Sequence, residues 1–152
     1  MPRESNCSPR QIQNYLNRVS GPLLDRIDLH VEVPAVKFEE ISGARNGESS
    51  STIRGRVVTA RQVQQERFKK RSRVTCNGRM SSRGLQQFCH LDDEALGILE
   101  YAMTDQCLSA RAYDRILKVA RTIADLAGAE GLTAEHVGEA VQLRSLDRQI
   151  LG

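Results

Sequence analysis

The apolar residues in the last third of the chain recur every three or four positions, which is the spacing of an amphipathic α-helix. The widest apolar stripe lies between residues 113 and 127. Ser109 before it and Gly128 after it are typical of a helix N-cap and a helix end. Caps of neighbouring helices are expected at Ser81, at Asp92 or Asp93, and at Thr133. Four or five such helices with short links predict an antiparallel helical bundle.

The middle of the chain predicts one long helix, at residues 52–71. The inner face of this helix is predicted to consist of Ile53, Val57, Ala60, Val63 and Phe68. A turn is expected where Asn77 precedes a glycine.

The first part of the chain has a different pattern. Ser8 followed by Pro9 predicts a helix start, and a Gly-Pro pair at residues 21–22 predicts its end. Residues 27–33 alternate strictly between apolar and polar, which predicts a strand with one buried face. Residues 37–52 show no period and predict a linker. Because a lone strand lacks neighbours, we expect residues 1–50 to be poorly ordered or packed differently from the same residues in a longer parent protein.

Composition agrees with a helical core. The 152 residues include only 4% aromatics and no Trp, so a core must come from Leu, Ile, Val and Ala. The four cysteines form no C-x-x-C pair; Cys76, Cys89 and His90 lack the spacing of zinc ligands, so no metal site is predicted. With no apolar run long enough to cross a bilayer, we expect a cytoplasmic protein with reduced thiols and no membrane partner.

Positive charge is concentrated in one stretch, although the formal net charge is only +3. Residues 54–83 carry ten Lys or Arg and a single acid, Glu66. The densest part consists of Arg67, Lys69, Lys70, Arg71 and Arg73. Such a run could neutralise DNA phosphates without reading sequence. A solvated helix end, where cations are favoured by the helix dipole, is an equally good interpretation.

Two further arginines are candidates for phosphate binding. Arg26 stands at the start of the predicted strand, which would hold its side chain in a fixed orientation. Its planar guanidinium suits phosphate oxygens. The alternative is an ion pair with Asp25, with Asp28 or with an Asp elsewhere in the chain. Arg111 would lie in the first turn of the helix capped by Ser109, where free N–H groups attract anions.

The alternative to phosphate binding by Arg111 is an ion pair with Asp105 or Asp114.

Residues 15–34 closely resemble a segment of the magnesium-chelatase-like AAA+ ATPases of the ComM/YifB type. Their core, Leu-Leu-Asp-Arg-Ile-Asp at residues 23–28, is also similar to the matching segment of MCM helicases and chelatase motor subunits. In those families the arginine of this motif is an arginine finger that reaches a neighbouring subunit's ATP. The resemblance therefore implies that Arg26 acts catalytically in trans.

A second resemblance runs from residue 108 to residue 148. Residues 108–126 are similar to the sensor-2 helix of the family's lid, and its arginine corresponds to Arg111. Residues 136–148 resemble the closing helix of that lid. The resemblance implies that Arg111 binds an ATP phosphate in its own subunit.

The chain departs from the family pattern in what it lacks. It contains no G-x-x-x-x-G-K-[ST] motif, no acidic Walker B strand and no sensor-1 segment. The resemblance thus implies a mainly α piece of an AAA+ ATPase: residues 1–36 as a helix–strand remnant of the α/β core, 37–52 as a linker and 53–152 as a helical lid. Such a piece is not an enzyme alone.

The same resemblance sets expectations for cofactors and partners. ATP and Mg²⁺ would be bound by the full-length protein, with neither held tightly by this chain. The rest of the AAA+ core and identical subunits in a ring would be partners, with DNA as a possible one. The implied activity is ATP hydrolysis coupled to DNA processing or to chelatase-like remodelling. A sequence-nonspecific DNA-binding module and a structural oligomerisation bundle remain the alternatives.

Overall fold

The chain forms a helical bundle. The computed structural model describes residues 7–16, 18, 23, 26–31, 33, 34, 36, 47–71, 73–105 and 108–144. Within these residues there are six α-helices, one 3-10 turn and no strand, which confirms the mainly α class. The elements are α1 (Pro9–Leu16), α2 (Ser50–Phe68), the 3-10 turn (Asn77–Arg79), α3 (Ser82–Phe88), α4 (Asp93–Asp105), α5 (Ala110–Ala127) and α6 (Ala134–Gln142).

The helix ends are fixed by local side-chain hydrogen bonds, as the sequence predicts. The Ser109 side chain accepts from the N–H of Ala112 at the start of α5, and Gly128 ends that helix in the left-handed conformation with φ of 72°. Asp92, rather than Asp93, accepts from the N–H of Ala95 and so caps α4. The backbone N–H of Thr133 donates to Nδ1 of His136, three residues into α6.

The core lies where α5 packs against α6 and where α6 packs against α4. The side chains of Ala95, Leu99, Ile116, Ala120, Val137 and Ala140 are almost completely buried there. Alanine at several of these positions allows the helix backbones to approach closely. The stripes predicted for α4, α5 and α6 therefore form the core, although Leu96 and Tyr113 at their margins are exposed.

Helix α2 packs differently from the sequence prediction. Its buried residues are Ala60, Gln64 and Phe68, all in its second half. Ile53 and Val57 continue the same stripe but are 43% and 46% exposed, and Val63 lies outside the stripe and is also exposed. The predicted inner face was therefore wrong at these three valine and isoleucine positions. The described part of the bundle does not reach the first half of the helix.

The predicted strand is also absent from the described residues of the 27–33 segment. Its expected buried face, which includes Ile27, Leu29 and Val31, is exposed, while the polar His30 is buried. The backbone N–H of His30 donates to the carbonyl oxygen of Leu143, at the end of α6, over 2.7 Å. A helix end offers isolated acceptors rather than a row of them, so the segment packs without forming a ladder.

The predicted linker lies mostly outside the described residues, which resume at residue 47. Ser49 caps α2, so the helix begins at Ser50, two residues earlier than predicted. Of the six helices in the described part of the chain, none has the length and apolarity needed to cross a membrane.

Candidate functional site

Arg111 lies in the first turn of α5, on an exposed part of the surface. The Ser109 side chain takes the N–H of Ala112, so the N–H groups of Ala110 and Arg111 are left at the open helix end. Within the described residues the Arg111 guanidinium has no ion-pair partner: Asp114 instead accepts from the Ser82 hydroxyl at 3.5 Å. The guanidinium and the helix end together form a cationic surface that suits an anion.

Arg26 is likewise exposed and lies in a turn. Its backbone N–H donates to the carbonyl oxygen of Leu23 over 3.0 Å. The alternative of a local ion pair with Asp28 is not what the structure has, because Asp28 pairs with Arg115 of α5. Asp25, the other expected partner, lies outside the described residues. Among the described residues, nothing binds the Arg26 guanidinium.

The segment that carries Arg26 rests on the same bundle that carries Arg111. Besides the Asp28–Arg115 ion pair, Nη1 of Arg144 donates to the carbonyl oxygen of Ile27 over 2.8 Å. Arg144 is completely buried, just beyond the end of α6. The sequence assigned no role to Arg115 or Arg144, and no local signal links either residue to a partner far away in the chain.

Arg67 was predicted from the sequence to contact DNA, but in the structure its side chain forms an ion pair with Asp125. Its Nη1 and Nη2 donate to the two carboxylate oxygens of Asp125, at 2.7 and 2.5 Å, and Nη1 also donates to Oδ1 of Asn77 at 2.9 Å. Only 13% of the Arg67 side chain is exposed. Because this bidentate pair occupies the guanidinium, Arg67 is withdrawn from the proposed phosphate-binding group.

Asp125 is the centre of this buried cluster, which consists of Arg67, Asn77, Arg121 and Asp125. It also accepts from the side-chain amide of Asn77 at 2.8 Å and from Nε of Arg121 at 3.1 Å. The other two guanidinium nitrogens of Arg121 donate to the carbonyl oxygens of Ala129 and Glu130. The cluster thus fastens the last turn of α2, the 3-10 turn and the loop after α5 to one carboxylate.

Electrostatics stabilises the charged form of that carboxylate. Burial by itself raises the pKa of Asp125, but the hydrogen bonds from Arg67 and Asn77 and the charges of Arg67 and Arg121 outweigh burial and lower the pKa below its ordinary value. Sequence reasoning missed this cluster. The i, i+4 spacing of Arg121 and Asp125 was a usable signal for one of its ion pairs, whereas the Arg67 contact was not.

The other residues of the predicted DNA-binding group lie at and beyond the end of α2. Lys70 and Arg73 are exposed, and Lys69, also exposed, pairs with Glu66. Arg71 donates to the side-chain oxygen of Gln87, and its guanidinium carbon lies 5.3 Å from the centre of the Phe88 ring. Phosphate binding by Lys69, Lys70, Arg71 and Arg73 stays a prediction.

Cys89 is a buried, protonated thiol, and the described cysteines belong to no metal-binding group. Burial raises the pKa of the Cys89 thiol to about 11, and its Sγ donates to the carbonyl oxygen of Leu117. In the described ranges, no three His, Cys, Asp or Glu side chains are grouped so that they could hold a metal ion.

Two family models match the chain. Residues 47–144 match the model described as magnesium chelatase, subunit ChlI C-terminal. Residues 1–41 match the model described as magnesium chelatase, subunit ChlI. The boundary between the two matches falls in the stretch that the sequence predicts to be a linker.

Curated relatives align with nearly the whole chain. It is 42% identical to the competence protein ComM of Haemophilus influenzae over 145 residues, which is 95% of this chain. It is 41% identical to the uncharacterized protein YifB of Salmonella typhimurium over 148 residues, which is 97% of this chain. An uncharacterized protein of Mycobacterium tuberculosis is 34% identical over 94% of the chain. The alignment spans only 28% of the length of each of these relatives.

Proposed function

Because this chain belongs to the magnesium chelatase ChlI C-terminal family, related to ComM and YifB, we propose that it is the regulatory lid of an AAA+ ATPase. The proposed lid supplies two arginines to ATP hydrolysis that takes place in the full-length protein. The chain itself has no phosphate-binding loop, so the nucleotide and its Mg²⁺ would be held by another part of the parent protein.

Arg111 is proposed to bind the terminal phosphate of the nucleotide in its own subunit. Its place in the first turn of α5 adds a guanidinium to a helix end that already favours anions. A change from ATP to ADP would remove the charge that holds Arg111. The lid would then rotate relative to the core, and hydrolysis would be converted into motion.

Arg26 is proposed to act on the nucleotide of an adjacent subunit in a ring. A guanidinium supplied to a transferring phosphoryl group neutralises the charge that develops in the transition state. The work performed is proposed to be DNA processing, in keeping with the competence protein among the relatives, or chelatase-like remodelling.

One observation carries this proposal. Within the described residues, the guanidinium groups of Arg26 and Arg111 are exposed and unpaired, while the nearby Asp28 and Asp114 have other partners. An exposed cation next to carboxylates that are otherwise engaged remains available for a ligand phosphate.

Substituting Arg111 tests the sensor role. In the full-length protein, Arg111→Ala should weaken binding of a non-hydrolysable ATP analogue by about tenfold or more, the value of one charge-assisted hydrogen bond. Affinity for ADP should change much less, because ADP lacks the phosphate that Arg111 contacts. Fluorescence titration with both nucleotides measures the two affinities.

The matched control for that titration is Arg83→Ala, an exposed arginine of α3. It should bind both nucleotides like the wild-type protein. An equal loss of ATP-analogue and ADP affinity in Arg111→Ala, or no loss at all, would remove the sensor assignment.

DNA binding is a second candidate function, favoured by the exposure of Lys70 and Arg73 after α2. If both contact phosphates, the double variant Lys70→Ala/Arg73→Ala should make the negative slope of log K against log salt shallower by about 1.8, since each lost contact accounts for ~0.9. Fluorescence anisotropy with a labelled duplex at several salt concentrations measures this slope.

The double variant Arg10→Ala/Arg18→Ala removes the same charge from another exposed region and serves as the control. Equal slopes in the wild-type protein and in both double variants would argue against phosphate contacts by Lys70 and Arg73.

A further inference from the structure

The segment that carries Arg26 and the helix that carries Arg111 are directly connected. Arg115 follows Arg111 by one helical turn, on the same face of α5, and Asp28 follows Arg26 by two residues. Arg115 and Asp28 form an ion pair across 87 positions of sequence. A displacement of the start of α5 would therefore also displace Asp28, which lies two residues from Arg26.

Two further contacts hold the same segment against the end of α6. The buried Arg144 donates to the carbonyl oxygen of Ile27 over 2.8 Å, and the N–H of His30 donates to the carbonyl oxygen of Leu143 over 2.7 Å. Both contacts use backbone atoms of residues 27–30. They therefore fix the path of the backbone next to Arg26, and not merely the position of one side chain.

We propose that Asp28 and Arg115 are positioning residues that couple the two phosphate-binding arginines of one subunit. The Arg144–Ile27 and His30–Leu143 contacts form a fixed pivot at the end of α6. The more exposed Asp28–Arg115 pair transmits a displacement of α5 to the turn that presents Arg26. Nucleotide bound at Arg111 thereby changes how Arg26 is offered to the neighbouring subunit. This inference rests on the function proposed above.

The ion pair is suited to such a role because it is partly solvated. The Arg115 side chain is 28% exposed and that of Asp28 is 56% exposed. A pair in this environment is screened by water and can break and re-form as the elements move, unlike the buried Arg67–Asp125 pair. Either residue can also be replaced without opening the core, so variants of the pair are informative.

The test uses the full-length protein with Asp28→Arg, Arg115→Asp and the charge-swapped double variant. ATP hydrolysis is measured against ATP concentration, and analogue affinity is measured separately. We expect each single variant to lower kcat about threefold to tenfold and to bring the Hill coefficient close to 1, with analogue affinity unchanged. The double variant should recover at least half of the wild-type kcat and its cooperativity.

Two controls separate this coupling from a merely structural role. Arg83→Ala should retain wild-type kcat and cooperativity, and thermal unfolding of every variant reports on folding. Single variants that unfold at lower temperature but hydrolyse ATP with wild-type cooperativity would overturn the proposal. So would a double variant no better than either single one.

Failure of this coupling is distinguishable from failure of the proposed function. If Arg26→Ala abolishes hydrolysis while the Asp28 and Arg115 variants keep wild-type kinetics, only the coupling is refuted. If Arg26→Ala hydrolyses ATP normally, the finger assignment itself is lost, and the coupling with it.

Discussion

Replacing Arg26 with Ala in the full-length protein should reduce kcat for ATP hydrolysis by about 10³-fold or more, the range measured for arginine fingers. Affinity for ATP should change little, because the finger acts on charge that develops only in the transition state. Arg26→Lys should recover little activity, since a lysine ammonium lacks the planar pair of donors. Steady-state hydrolysis and analogue binding give the two quantities.

A mixing experiment checks that Arg26 works across a subunit boundary. Assemblies of Arg26→Ala subunits with Arg111→Ala subunits contain interfaces that pair an intact Arg26 with an intact Arg111. Such mixtures should hydrolyse ATP faster than either variant alone. Arg10→Ala, an exposed substitution in α1, should behave as wild type. Additive, unrescued rates in the mixture would place Arg26 in its own subunit's site.

Replacing Asp125 with Ala should give the largest loss of stability, about 3–5 kcal/mol in the free energy of unfolding. The carboxylate is fully buried and accepts from Arg67, Asn77 and Arg121. Without it, two guanidinium groups stay close together in the interior with no counter-charge. Urea denaturation followed by circular dichroism measures the change.

Asp114→Ala removes a less buried carboxylate from the same helix and should cost under about 1 kcal/mol.

The pH dependence of the unfolding free energy gives a second check on Asp125. Since the folded-state pKa of Asp125 is lowered, its contribution is complete above the unfolded pKa of about 3.9 and is lost as pH falls through the lower folded value. The stability gap between wild type and Asp125→Ala should therefore be constant near neutral pH and narrow only in strong acid. A gap that closes between pH 7 and pH 5 would contradict this account of the cluster.

Sequence reasoning succeeded where the determinant is local. Ser109 and Gly128 act on atoms within a few residues of themselves, so their roles as helix start and helix end could be predicted from spacing. The apolar stripes of α4, α5 and α6 were correct apart from marginal residues such as Leu96 and Tyr113, because most of each stripe is buried in the core. The resemblance to a known family then supplied the two candidate arginines.

It failed where the outcome depends on a distant neighbour. Periodicity placed Ile53 and Val57 inward but could not show that the described bundle leaves the first half of α2 uncovered. Alternation in residues 27–33 predicted a strand, yet a strand needs a partner that the described residues do not provide. Arg67 read as one cation in a basic run, because Asp125 is 58 positions away.

The uneven anchoring of α2 has a mechanical consequence. Among the described residues, the core and the Asp125 cluster hold α2 from Ala60 onward and leave its first ten residues, about 15 Å of helix, uncovered. A tilt of the bundle by about 10° would displace Ser50, at the far end of that uncovered stretch, by roughly 3 Å. The first half of α2 would thus act as a lever arm: a small rotation of the bundle becomes a larger displacement at Ser50, where the helix begins.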